Sequence, residues 1–244
     1  MSYYFGIYHW RRRGRALALG TLALAAGALL AVASTRRTRR LLAVALGLWG
    51  ARTDYRTLSK LLRPPPWRLD GEKYALLAAA LPLDGADRVL DVGCGTGRSL
   101  VGLAPTLAPE TTVVGVDVFD DRVILGNAPA LARRNAVRAG LDAAVVRGDA
   151  ARLPVADGSV DVVTACRVLH DLPEAAARRA AAEAHRVCAP GGTLGVLELR
   201  ITHDGSTDPA RYWRDLVAEA GFDVRHVEEV ERERGRYVLV VADA

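Results

Sequence analysis

Residues 89–97 read VLDVGCGTG, an apolar run that passes into glycine at every second position, and the helix-compatible stretch 98–107 follows it. This order predicts a strand that enters a tight loop and a helix start, a place where backbone closely approaches a bound small molecule. Glycine suits such a loop because a side chain would block the ligand or forbid the dihedral angles of the turn. Taken alone, the pattern is also typical of nicotinamide dehydrogenases and of glycine turns without a ligand.

Later apolar runs end in polar residues at the spacing of a parallel sheet. Residues 113–116 end at Asp117, residues 144–147 stop before Asp149, and residues 160–164 lead to Cys166 and His170. Further runs cover residues 193–199, 223–230 and 237–241. Acids at the carboxyl ends of parallel strands lie where open α/β sheets bind ligands. We therefore expect an α/β fold with a seven-stranded, mostly parallel sheet whose last strand inserts antiparallel.

Four motifs within residues 72–241 carry a resemblance to a known family: DVGCGTG at 91–97, GVD at 115–117, GDAARLPVADGSVDVV at 148–163 and RVCAPGG at 186–192. The segment resembles the class I S-adenosylmethionine-dependent methyltransferases of the ubiquinone/menaquinone C-methyltransferase-like group, also called the methyltransferase type 11 group. The third motif separates this interpretation from a dehydrogenase. The resemblance implies a Rossmann-like sandwich, methyltransferase activity and S-adenosylmethionine as cofactor.

The resemblance also implies roles for single residues. The methionine end of the donor would be held by Asp91 and by the backbone of the glycine loop. Asp117 would bind the ribose hydroxyls, and Asp149 the adenine amino group. The other residues that we expect in the donor site are Gly93, Cys94, Gly95, Gly97, Val118, Ala150 and Cys166.

His170 is the candidate catalytic residue, because it follows the fourth strand, from which this fold usually addresses the acceptor. Its near-neutral pKa suits removal of a proton from a phenol, an enol or a similar group. A structural histidine that caps the turn at Asp171 is the alternative. Arg167 either binds an anionic acceptor, pairs with Asp171 or lies in solvent.

Charge is distributed unevenly along the chain. Residues 1–63 contain twelve Lys or Arg and one acid, whereas the remaining residues contain twenty-one Lys or Arg and twenty-seven acids. An acidic catalytic domain argues against a nucleic-acid substrate, since phosphate contacts need a positive surface. The three cysteines have no metal-type spacing and indicate a reducing compartment, with Cys188 expected in a late helix.

The first sixty residues are typical of a membrane anchor. An uncharged run at 16–33 lies between two arginine clusters and has a length in the range of about 17–25 residues that spans a bilayer. A second run, 41–51, is too short alone and equally fits the membrane interface. A signal peptide and a buried soluble helix are the rival interpretations of the first run. We expect a retained anchor, with a hairpin favoured over a single crossing.

The predicted organisation is an anchor at 1–63, a proline-rich linker at 64–71 and a methyltransferase domain at 72–244, with the catalytic domain on the cytoplasmic side. The predicted function is transfer of a methyl group from S-adenosylmethionine to a small-molecule or lipidic acceptor near the membrane. A non-catalytic, membrane-tethered scaffold that binds S-adenosylmethionine is the alternative. The sequence leaves open the acceptor, the accepting atom and the oligomeric state.

Overall fold

The computed structural model describes residues 2–62, 65–232 and 235–244. The chain divides into a larger unit, Leu69–Phe119 with Asn127–Ala244, and a smaller one, Ser2–Arg68 with Asp120–Gly126. The predicted boundary at Pro64 lies outside the described residues. The limits 1–63, 64–71 and 72–244 stay a prediction, and they do not foresee that residues 120–126 belong to the smaller unit.

The secondary structure alternates between strands and helices after residue 71. The strands are β1 (Ile7–Tyr8), β2 (Arg88–Val92), β3 (Thr112–Asp117), β4 (Ile124–Leu125), β5 (Ala143–Arg147), β6 (Val160–Cys166), β7 (Cys188–Leu199), β8 (Asp223–Arg232) and β9 (Gly235–Asp243). The helices are α1 (Trp10–Ala33), α2 (Arg37–Leu62), α3 (Glu72–Ala79), α4 (Arg98–Leu103), α5 (Pro129–Arg138), α6 (Glu174–Val187) and α7 (Pro209–Glu219). Short 3-10 turns cover Ala104–Thr106 and Leu169–Asp171.

The larger unit contains a seven-stranded sheet in the order β5-β3-β2-β6-β7-β9-β8. Strands β5, β3, β2, β6 and β7 pair in parallel, whereas β9 lies antiparallel between β7 and β8. The predicted mostly parallel sheet with an antiparallel last strand is therefore confirmed. Its central strands are nearly continuous apolar runs because helices cover both of their faces.

Two apolar cores lie on the two faces of this sheet. One joins the sheet to α6 and α7, where the fully buried Trp213 also donates from Nε1 to the Leu199 carbonyl at 3.1 Å. The other joins it to α3, α4 and α5, through residues such as Leu77, Leu100 and Ala132. The result is a three-layer sandwich in which each amphipathic helix buries its apolar face against strands.

Two local predictions were wrong. The helix expected at 98–107 ends at Leu103, because Pro105 lacks the N–H that a continuing helix needs and the chain turns as a 3-10 segment. Cys188 does not lie in a helix but is the first residue of β7.

The parallel register brings the carboxyl ends of four strands to one edge of the sheet. Val92 at the end of β2 is level with Val116 in β3 and with Ala165 in β6. Asp117 at the end of β3 is level with Arg147 at the end of β5. The loops that follow these strands therefore meet at one edge, where open α/β sheets bind ligands.

The smaller unit contains a two-stranded ribbon and a helix pair. In the ribbon, Ile7 pairs with Leu125 and Tyr8 with Ile124. The Trp10 indole N–H donates to the Asp121 carbonyl at 2.8 Å. Residues 120–126 thus belong to the N-terminal unit through backbone pairing, a long-range contact that no local sequence pattern announces.

Helices α1 and α2 pack antiparallel through small residues. A Cβ at Gly27 would lie 2.7 Å from the Ala43 carbonyl oxygen, and one at Gly50 would lie 2.5 Å from the Gly20 carbonyl oxygen. Such close approach of the two backbones requires glycine. The large apolar side chains face outward instead, and those most exposed on α1 are Leu19, Leu22, Leu29 and Val32. Among the described residues α1 is the one helix that is long and apolar enough, by length and composition alone, to cross a membrane.

Candidate active site

The glycine loop leaves β2 at Val92 and is held by backbone hydrogen bonds. Gly93 and Cys94 both donate N–H groups to the Val116 carbonyl, at 2.7 and 3.2 Å. Gly97 donates to the Cys94 carbonyl at 2.8 Å. These bonds tie the loop to the end of β3 and fix its position over the sheet edge.

The three loop glycines serve two different purposes. Gly93, Gly95 and Gly97 have φ angles of +73°, +52° and +81°, which side chains rarely tolerate. A Cβ at Gly93 would overlap the Val168 side chain, and one at Gly97 would lie 2.8 Å from the Ala132 carbonyl oxygen. A Cβ at Gly95 would have no neighbour closer than 3.9 Å. Packing therefore requires Gly93 and Gly97, whereas the space beside Gly95 is open.

Asp117 borders this open space. Its Oδ2 accepts the Gly95 N–H at 3.0 Å, and its Oδ1 accepts the Phe119 N–H at 2.6 Å. The Asn127 amide nitrogen lies 3.5 Å from Oδ1. Burial raises the pKa of Asp117, and the hydrogen bonds from Phe119, Gly95 and Asn127 partly offset that rise. The predicted ribose-binding acid and the glycine loop are thus in direct contact.

Asp91 lies below the loop and is only 1% exposed. Its Oδ1 accepts the Thr164 hydroxyl at 2.9 Å, and its Oδ2 accepts the Ser99 hydroxyl. Burial raises the pKa of Asp91 to about 7, against the lowering effect of the two hydroxyl groups. The side chain joins the start of α4 to β6, and its predicted contact with the donor stays a prediction.

The predicted adenine-side residues lie at the same edge. Asp149 follows β5, is exposed, and accepts the Ala151 N–H on Oδ1 at 2.9 Å. The next residue, Ala150, is 9% exposed and packs in the core, and Val118 after β3 is 53% exposed. The structure therefore brings Asp149 and Val118 to the surface of this edge and Ala150 just beneath it.

Neither cysteine at this edge is a nucleophile at neutral pH. Burial raises the pKa of Cys166, at the end of β6, to about 12. Burial also raises the pKa of Cys94 well above its ordinary value. Both thiols stay protonated and behave as small packing groups.

His170 is held by a glutamate that the sequence interpretation missed. Its Nδ1 lies 2.6 Å from Glu198 Oε2, and Glu198 in β7 is fully buried. The Asp171 carboxylate lies 3.4 Å from the other ring nitrogen, Nε2. Burial lowers the pKa of His170, but the hydrogen bond and charge of Glu198 outweigh it and leave that pKa raised. The sequence signal was an acid inside the apolar strand 194–199.

Two other buried polar side chains were also missed as site components. Asn135 in α5 is fully buried and donates from Nδ2 to the Thr96 carbonyl at 2.8 Å, so it supports the glycine loop from the helix layer. Lys73 in α3 is 4% exposed, with Nζ 3.3 Å from Asp70 Oδ2. Burial and the charge of Arg167 lower the pKa of Lys73. Neither Asn135 nor Lys73 is among the site residues that the sequence predicts.

Comparison with known proteins finds methyltransferases that are similar to the part of the chain with the glycine loop and Asp117. Residues 89–192 match a family model described as a methyltransferase domain. The 27-O-demethylrifamycin SV methyltransferase of Amycolatopsis mediterranei is 36% identical over 122 residues, which cover 49% of this chain and 41% of that protein. The demethylmenaquinone methyltransferase of Thermus thermophilus is 38% identical over 111 residues, 46% of each chain.

Residues 89–192 therefore resemble known methyltransferase domains in sequence. A solved S-adenosylmethionine-dependent methyltransferase from Aquifex aeolicus shares the fold, with a TM-score of 0.56 and 23% identity over 72% of this chain and 89% of that chain. The predicted class of domain is therefore supported for residues 89–192, and the solved structure confirms the predicted fold. The chain spans less than half the length of the two curated relatives.

Proposed function

We propose that the whole chain transfers a methyl group from S-adenosylmethionine to a small-molecule acceptor, with the site at the carboxyl edge of the sheet. The observation that carries this proposal is the open space beside Gly95, where a Cβ would meet only the Asp117 carboxylate and the Gly93 carbonyl oxygen within 4 Å, each at 3.9 Å. Because residue 95 has no Cβ, a ligand can occupy this space and lie directly against the backbone of the loop. Both curated relatives named above are methyltransferases of small molecules by name, which supports the acceptor class.

We assign the donor contacts as the resemblance implies. The methionine end would be held by Asp91 and by the backbone of Gly93, Gly95 and Gly97. Asp117 would bind the ribose hydroxyls, and Asp149 the adenine. When bound, S-adenosylmethionine supplies an activated methyl group with a good leaving group. What remains for the protein is alignment of the acceptor and exclusion of water, which supply much of the rate in such a displacement.

His170 is the residue to which we assign proton removal from the acceptor. It lies on the 3-10 turn after β6, at the edge where the glycine loop and Asp117 meet. A histidine with a near-neutral pKa is suited to this role.

The helix pair of the smaller unit is the part that we assign to a membrane. Glycines face the partner helix and leucines face outward, the arrangement that membrane helix pairs favour because close backbone packing replaces the hydrophobic effect there. At 1.5 Å per residue, the run 16–33 is about 27 Å long, near the roughly 30 Å of bilayer hydrocarbon. The run 41–51 is only about 16 Å long. The arginines at both ends of α1 suit headgroup levels.

Donor binding tests the first proposal. The full chain, held in lipid nanodiscs, is titrated calorimetrically with S-adenosylmethionine and separately with NADH. Wild type and the exposed control Asp142→Asn are expected to bind S-adenosylmethionine, whereas Asp117→Asn is expected to lose most of this binding. Circular dichroism checks that each variant is folded. Failure of folded wild type to bind S-adenosylmethionine would overturn the proposal.

Methyl transfer separates an enzyme from a scaffold. Chain with bound donor is incubated with extracts of small molecules and lipids, and tritium from the labelled methyl group is followed into the organic phase. Transfer that Asp117→Asn abolishes supports the enzyme. Tight donor binding with no labelled product in any extract would favour the tethered scaffold.

Liposome flotation tests the membrane assignment. Leu22 and Leu29 are 65% and 71% exposed on α1. If water surrounded this helix, Asp at both positions would therefore change the free energy of unfolding little. In a bilayer each Asp costs about 2.5–3.5 kcal/mol. We expect the double variant not to float with the liposomes. The control Val137→Asp, at an exposed position on α5, is expected to float like wild type. Flotation of the double variant at the wild-type level would contradict the assignment.

A further inference from the structure

Glu198 is a fully buried acid, and both of its carboxylate oxygens accept hydrogen bonds. Its Oε1 accepts the N–H groups of Val168 and Leu169 at 2.9 and 2.6 Å. Its Oε2 lies 2.6 Å from His170 Nδ1 and 3.2 Å from the Leu199 N–H. A buried charge is costly unless it is paired and hydrogen-bonded, and this carboxylate meets that condition with four donors. Three of these donors are backbone groups and the fourth is the His170 ring, so Glu198 holds a side chain as well as the turn.

The contact selects one tautomer of the His170 ring. A carboxylate accepts hydrogen bonds, so the proton of the neutral ring lies on Nδ1 and the lone pair on Nε2. The same carboxylate binds the backbone at Val168 and Leu169, which places the whole 3-10 turn relative to β7. Glu198 therefore orients the ring and, at 2.6 Å, favours a proton on Nδ1 over the longer 3.4 Å contact of Nε2 with Asp171.

We propose that Glu198 is a positioning residue that orients His170 as the general base for an acceptor with an acidic hydroxyl group, a phenol or an enol; this inference rests on the proposed function. The acceptor O–H bond breaks and its proton passes to His170 Nε2. The oxygen electron pair forms the new bond to the methyl carbon while the electrons of the carbon–sulfur bond remain on sulfur. The products are a methyl ether, a neutral thioether and a protonated imidazole.

Three charged groups act on the ring. Glu198 in β7 and Asp171 beside Nε2 favour the protonated ring, whereas burial and the Arg167 cation disfavour it. The balance leaves the pKa of His170 raised. Since the base must be neutral, methyl transfer is expected to rise with pH through this raised pKa and then to reach a plateau.

Glu198→Gln reverses this arrangement. The Gln oxygen, in the place of Oε1, still accepts the Val168 and Leu169 N–H groups. The amide nitrogen, in the place of Oε2, no longer accepts the Leu199 N–H and donates to His170 Nδ1, which moves the ring proton to Nε2. Nitrogen-15 NMR of the histidine rings in the full chain measures the tautomer and the pKa directly. We expect wild-type His170 to carry its proton on Nδ1 and to have a raised pKa, and the variant to show the other tautomer and a lower pKa.

The chain offers a matched control. Glu228 lies 3.4 Å from His226, and both side chains are about half exposed. Glu228→Gln therefore removes a comparable pair at the surface and is expected to leave the resonances of His170 unchanged. If Glu198→Gln does not fold, Glu198→Asp keeps the charge but withdraws it by one methylene, and a partial decrease in the pKa of His170 is expected.

Kinetics complete the test. Glu198→Gln is expected to lower kcat about 100-fold, in the range of general acid–base catalysis, with the KM for S-adenosylmethionine unchanged. If the tautomer and the pKa of His170 are unchanged in both Glu198 variants, the positioning role is overturned. The proposed function still stands in that case, provided that wild type binds the donor. Absence of donor binding in folded wild type would overturn the proposed function and the role in catalysis together, even if NMR shows the paired ring.

Discussion

Replacement of Gly95 by alanine tests whether the open space in the glycine loop belongs to the donor. The residue has a φ of +52°, and a non-glycine residue in this region costs roughly 1–2 kcal/mol. The new Cβ meets no atom closer than 3.9 Å, so no packing penalty is added. Gly140 is the matched control, because its φ is +80° and a Cβ there meets nothing within 4 Å. Both variants should therefore lose a similar roughly 1–2 kcal/mol of unfolding free energy.

The two variants should differ in donor binding. A methyl group forced into a filled, well-packed space costs roughly 1–3 kcal/mol, which corresponds to a roughly 5–150-fold weaker Kd. We expect this loss for Gly95→Ala and no loss for Gly140→Ala. Urea unfolding followed by circular dichroism gives the stabilities, and calorimetric titration with S-adenosylmethionine gives the Kd values. Equal donor affinity in the two variants would refute the placement of the donor beside Gly95.

Two predictions concern buried charges. The folded-state pKa of Asp91 is about 7, raised from 3.8, so its ionisation costs stability as the pH rises toward 7. Relative to wild type, Asp91→Asn should therefore gain unfolding free energy between pH 4 and pH 7, on the order of a few kcal/mol; parallel urea curves at several pH values measure this, and a constant difference would contradict it. Asp70→Asn should cost roughly 1–3 kcal/mol because it leaves the Lys73 cation buried without its carboxylate, and the double variant with Lys73→Met should recover much of the loss. A double-mutant cycle that shows no coupling would exclude that account.

The sequence predicted the parts of the site that are local in the chain. The glycine loop and Asp117 were found because a strand, a tight turn and a terminal acid leave a short, recognisable pattern. Glu198 was missed because its partner His170 lies 28 positions earlier and the two meet only through the pairing of β6 with β7. Asn135 and Lys73 were missed as site components for the same reason, since their partners follow from how helices pack on the sheet.

In the smaller unit, too, features that are local in the sequence were predicted and long-range contacts were not. The apolar runs at 16–33 and 41–51 were recognised, and helices cover both. The pairing of β1 with β4 was not predicted, because two-residue strands more than 100 positions apart leave no periodic signal. The inward-facing glycines Gly20, Gly27 and Gly50 are spaced regularly enough to be noticed, but only the antiparallel packing shows which helix faces they occupy.

The buried polar groups of the site act mainly on loop position. Asn135 donates to the Thr96 carbonyl, and Glu198 accepts the backbone N–H groups of the turn at His170. A methyl transfer with a good leaving group depends strongly on the alignment of donor and acceptor. Substitutions of these supporting residues should therefore reduce kcat more than they reduce donor affinity. Substitutions at Gly95 or Asp117 should do the opposite, because those positions border the space that we propose for the donor.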